Sequence, residues 1–265
     1  ERKPEETTGA EAACGELGGH RLRGATVRYV STVALECAAD RSLGAGDPLL
    51  AALANLRLSR LNGSLADMPG EDRQALRGNA RERALGAISV ALAVDDVDER
   101  AELVGRLAEA ALDYDGGSSP VLAAAVAALR ADPSNPRLLG IAASIEGRIA
   151  LARGDAAAAR SSFESAILAE SQHPLPARLP TYYLLLARAD PGNRGTHVQA
   201  AYATLENIRP LLPRFDPLTE ESSFSLYMRD TFIAAVEVQL AEARREGESA
   251  RIRDAQLIVG AYCQA

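Results

Sequence analysis

Apolar side chains recur along this chain every three or four residues, the spacing that gathers them on one face of an α-helix. Val27, Val30, Ala34 and Cys37 keep that rhythm and predict a first helix over about 24–39. Asp47-Pro48 reads as an N-cap followed by a first-turn proline. It opens a second helix over about 48–61, with Leu49, Leu53, Leu56 and Arg60 on one stripe and Asn62-Gly63 as its terminator. A third is expected over about 72–94, charged in its first half and apolar in its second. A fourth runs from the acidic Asp95–Glu99 boundary to about 114, and a short, Ala-rich fifth covers about 120–130. Six more follow at about 137–153, 155–170, 176–189, 196–212, 220–245 and 249–263. The tenth is the longest, with Phe224, Met228, Phe232, Val236 and Leu240 as its stripe and Thr219 as its N-cap. Alternating runs of β-branched residues, which strands require, do not occur.

Two internal echoes sharpen this pattern. Arg130-Ala-Asp-Pro-Ser-Asn returns as Arg188-Ala-Asp-Pro-Gly-Asn, each ending a helix in Asp-Pro and a small turn. Ala159, Phe163 and Ala166 stand at i, i+4 and i+7, and Ala201, Leu205 and Ile208 repeat them 42 residues later. Together with Gly147 and the Gly154-Asp155 turn, 147–171 is the helix-turn-helix unit of a tetratricopeptide (TPR) repeat. The period exceeds the usual ~34 and implies longer helices or loops. The expected fold is therefore all-α: a TPR-like, right-handed solenoid of antiparallel helix pairs, about eleven helices in all. The expected divisions are a flexible segment at 1–20, degenerate repeats over 21–213, and a closing helical pair at 214–265. Such solenoids bind partners along a concave face, and Ser144, Arg148, Tyr182 and Tyr183 are the candidate groove residues.

Composition agrees and excludes several function classes. The chain is 47% hydrophobic but only 4% aromatic, so much of its core is Ala and Leu. A net charge of −7, with Lys3 the only lysine, lacks the clustered basic face that nucleic acid requires. No apolar run is long enough to span a membrane. The cysteines are Cys14, Cys37 and Cys263. They read as free thiols, with a Cys14–Cys37 bridge as the alternative that an oxidising compartment would permit. His20, His173 and His197 lie outside any metal-ligand or hydrolase spacing, and no phosphate-binding glycine motif is present. The chain thus reads as having no catalytic residues, metal or cofactor of its own; an enzyme built on Cys14 or Cys37 is the remote alternative. A cytoplasmic location is expected, or a periplasmic or secreted one if a signal peptide has been removed.

Residues 205–229, LENIRPLLPRFDPLTEESSFSLYMR, carry a resemblance. They are similar to the segment of bacterial TPR–CHAT proteins between the helical repeats and a caspase-like cysteine protease domain. The closing Ala261-Tyr262-Cys263 resembles the lead into that domain, and the likeness extends over about 147–263. It implies a non-catalytic regulatory or partner-binding region whose partners are proteins or peptides, a downstream CHAT protease domain among them. The family's catalytic His and Cys match no position here, and Cys263 stands where a linker cysteine is common. A free-standing TPR adaptor or assembly protein, with no protease, is the second expectation.

Overall fold

The computed structural model describes residues 27–115, 118–246 and 249–264. The described residues hold eleven α-helices and no strand, only an isolated bridge between Phe215 and Ser222. The all-α expectation holds, and within each compact unit helices pack in adjacent pairs as in a solenoid. The expected 1–20 segment, with Cys14 and His20, lies outside the described residues. The chain forms two compact units, residues 1–128 and 129–265.

The first unit contains α1 (Val27–Gly44), α2 (Pro48–Ala66), α3 (Arg73–Ala91) and α4 (Val97–Asp115). Most of α5 (Pro120–Leu129) belongs to it as well. Leu56, Leu58, Ile88, Leu103 and Leu107 form its interior, with alanines filling the closest approaches. Asp47 caps α2 by accepting from Leu50 N–H at 3.0 Å, as the sequence predicts. Helix α2 does not stop at Asn62-Gly63, however, but runs to Ala66. Gly63 is buried against the Tyr114 hydroxyl, and any Cβ there would collide with it. The glycine serves close packing inside the helix, where the sequence suggests a terminator. Polar ties lock the layers: Ser59 Oγ donates to Ala80 O at 2.7 Å, and Arg83 meets Glu36 at 2.7 Å. Asp96 accepts from the N–H groups of Asp98 and Glu99, so the acidic boundary caps α4.

The second unit contains α6 (Pro136–Ala152), α7 (Ala156–Glu170), α8 (Leu179–Ala189), α9 (Arg194–Ile208), α10 (Arg229–Glu246) and α11 (Ser249–Gln264). Short turns join α6 to α7 and α8 to α9, which makes each pair antiparallel. Both echoed phrases end one helix and start the next. In the first, Asp132 accepts from Ser134, and Asn135 caps α6 through the N–H groups of Arg137 and Leu138. In the second, Asp190 accepts from Asn193 Nδ2 at 2.9 Å and pairs with His197 at 3.2 Å. The 42-residue echo is equally physical: Ala159, Phe163, Ala166, Ala201, Leu205 and Ile208 are all buried. Gly147 lets α6 lie directly on Phe163, since a Cβ there would come within 2.5 Å of the ring.

The expected division at 213/214 falls inside this unit. Val198, Leu205 and Ile208 of α9 share one core with Tyr227, Phe232, Val238 and Ile258. The closing helices are continuous with the preceding pair through that apolar surface. Two details of α10 depart from expectation. A π-helical turn, Phe224–Met228, precedes it, and its buried face passes through Phe232, Ala235 and Val238 while Leu240 is exposed. A strict four-residue spacing rotates about 40° per step on a 3.6-residue helix. The stripe drawn through Val236 and Leu240 has turned away from the core by its end.

Candidate partner-binding site

The sequence-predicted groove residues do not share a surface. Ser144 and Tyr182 are buried, the latter fully, in the core where α6, α7 and α8 meet. Arg148 and Tyr183 are half-buried. Helix α6 is apolar around most of its circumference and contacts both α7 and α8. Its 3.6-residue period therefore does not distinguish a groove-facing stripe from an inter-helix one.

The structure instead builds a surface feature on the proline-rich segment 209–223. Helix α9 ends at Ile208 and tightens into a 3-10 turn, Arg209–Leu211. Pro213 and Pro217 cannot donate backbone hydrogen bonds, so the chain leaves the helix. Asp216 then organises the loop. Its carboxylate accepts from Leu218 N–H at 3.1 Å, Thr219 N–H at 2.8 Å, Thr219 Oγ1 at 3.1 Å and Tyr227 OH at 2.9 Å. Glu220 N–H closes the turn onto Asp216 O at 2.8 Å, and Glu220 takes a left-handed φ of 57°. That conformation costs a non-glycine residue about 1–2 kcal/mol. Thr219 is thus a loop anchor rather than the cap of α10.

The result is a fixed loop with exposed apolar residues. Leu211 is 65% and Phe215 54% exposed. Beside them runs a groove of about 810 Å³. Its apolar lining comes from Leu212, Pro213, Phe224 and Met228, and its polar lining from Arg209, Arg214, Ser222 and Ser223. An aromatic cluster steadies the floor: Phe224 meets Tyr262 edge-on at 5.0 Å and stacks with Phe232 at 6.4 Å. Tyr202 and Tyr262 each meet Phe232 edge-on at 5.9 Å. Helices α9, α10 and α11 therefore support one wall together.

Elsewhere, titratable groups are held for structural ends. Glu170 is fully buried at the end of α7, accepts Arg178 N–H at 3.2 Å, and lies 3.9 Å from Arg137. Burial pushes its pKa up, against the opposing pull of Arg137 and Arg178. It fastens the α7 end to the start of α8. Its signal in the sequence is slight, a glutamate in the last turn of an Ala-rich helix. Asp132 and Asp190 are held below the ordinary carboxylate range, the first by Ser134 and the second by Asn193 and then His197. Cys37 is disulfide-bonded, which corrects its reading as a free buried thiol. A second cleft, between α3 and the end of α4, is lined by Arg73, Arg77 and Arg81. Arg77 pairs with Asp67, and Arg73 Nε donates to Ala66 O. Among the described residues no group of three or more acidic, His or Cys side chains is placed to hold a metal, and no helix is long and apolar enough to cross a membrane.

No protein-family model, no curated protein and no solved structure matches the chain.

Proposed function

We propose that this chain is a non-catalytic helical-repeat scaffold that binds a protein partner, and that it is the regulatory region of a bacterial TPR–CHAT protease. The observation that supports the binding role most is the loop at 209–223. Its backbone is held by a buried carboxylate, while Leu211 and Phe215 stand in solvent beside a groove. Fixing apolar residues outward in this way offers ready contact area to a partner, because little further ordering is needed on binding. The protease assignment rests on the resemblance of 205–229 to the segment that joins repeats to protease in that family. In such an arrangement the partner would bind one protease state more tightly than another and shift the population between them. The test is a peptidase assay on the full-length gene product and on this chain alone. Hydrolysis by the first and none by the second is the expected outcome; a gene product with no protease domain would remove the protease half of the reading.

One observation favours the second reading, an exported free-standing adaptor. The disulfide at Cys37 is a feature that persists in oxidising compartments and is rare in reducing ones. A full-length product with an upstream signal peptide and no protease domain would establish that reading in place of the first.

A further inference from the structure

We propose that the groove beside the 209–223 loop binds an extended peptide segment of the partner in which an apolar side chain stands close to a carboxylate. This deepens the scaffold reading by naming the partner's chemistry, and it rests on that reading.

The charge in the groove is of one sign. Its titratable lining residues are Arg209 and Arg214, with no carboxylate among the lining. Arg209 is partly neutralised by Glu206 at 3.5 Å. Arg214 meets no carboxylate among the described residues; its guanidinium lies over the Phe215 ring, 5.5 Å from the centroid. In a chain with 36 acidic and 29 basic side chains, an arginine without an acidic partner is a cation open to an incoming carboxylate. A guanidinium held by a ring still presents its planar donors, which suit a carboxylate.

The lining beneath the arginines is apolar, from Leu212, Phe224 and Met228, and Phe215 stands at the rim. Ser223 also lines the groove, and its buried hydroxyl finds no partner among the described residues. A buried hydroxyl without a partner is unfavourable, and an incoming acceptor that reached it would relieve that cost. Two arginines beside an apolar floor match a peptide carrying one acidic and one apolar anchor. A polyanion would need a longer basic stripe than this.

The test uses the 265-residue chain and three pools of short fluorescein-labelled peptides, read by anisotropy. One pool fixes Leu-x-Glu, the second Leu-x-Gln and the third Ser-x-Glu, all other positions being mixed. The first pool should bind, and the other two more weakly by roughly tenfold. Arg214→Glu and Phe215→Ser should each weaken binding by roughly tenfold or more, with unchanged circular dichroism, because both side chains are exposed. Ser223→Ala should weaken it less, and Arg160→Glu, on α7, should leave it unchanged. Equal affinity for the Glu and Gln pools, no binding of the first pool, or indifference to Arg214→Glu would overturn the proposal. So would Arg214-dependent binding to phosphatidylglycerol vesicles without peptide binding. A chain that binds the protease domain but ignores the Leu-x-Glu pool would overturn the groove chemistry and leave the scaffold reading standing.

Discussion

Single residues decide whether the α6–α7 pair can close. Gly147 sits mid-helix, where alanine would normally be favoured by about 1 kcal/mol. Here the added methyl would meet a Phe163 ring that is itself fully buried and has no room to retreat. Overpacking of this kind costs about 1–3 kcal/mol, so Gly147→Ala should lower stability by about 1–2 kcal/mol in urea unfolding. A stabilised variant would mean that the ring moves aside. Glu170 makes a second prediction, with its sign set by burial. Its folded-state pKa is raised above the ordinary 4.5. Over the window from that value up to the raised one, the folded protein holds a proton that the unfolded chain has released. Stability attributable to Glu170 therefore falls as pH rises through the window, and no such loss remains below it. Glu170→Gln keeps an acceptor for Arg178 N–H and removes the titration. Melting curves should show the wild type losing ground to the variant as pH rises above 4.5; parallel curves would contradict the raised pKa.

At the scale of elements, short-range signals were legible and rotational ones were not. Asp47 caps its helix where the sequence places it, and Asn135 and Asp155, which the sequence sets in turns, cap α6 and α7, because capping depends on one side chain and the next few N–H groups. Gly63 and the α10 stripe misled, because the neighbour that fixes their roles is distant in sequence or because the drift of four-residue spacing accumulates. Ser144 and Tyr182 turn inward for a related reason: Tyr182 carries the same periodic signal whether it faces solvent or α7. The 209–223 loop was visible as a proline cluster, but Asp216 as its organiser was not, since Tyr227 reaches it only once the π-helical turn is formed. Asp216→Ala removes the acceptor from four donors at once. It should cost about 2–4 kcal/mol, less than additive, and raise amide exchange at 218–223. Unchanged exchange there would mean that the prolines alone hold the loop.

At the scale of the whole molecule, α1 to α4 in the first unit and α6 to α11 in the second follow one rule, in which a helix packs on its neighbour in sequence and small residues set the spacing. Within the second unit this rule carries the apolar core from α8 and α9 into α10 and α11 without a break. The proline-rich loop lies on that shared core, so a partner held at the loop would bear on four helices together. The central claim is that this chain acts by binding, and the proposed TPR–CHAT resemblance makes a caspase-like domain the partner to try first. Isothermal titration of the chain with a caspase-like domain, taken from the full-length gene product where that product encodes one, tests it most directly. The account predicts saturable one-to-one binding that Phe215→Ser or Arg214→Glu weakens; the absence of heat and of complex at every concentration tried would contradict it.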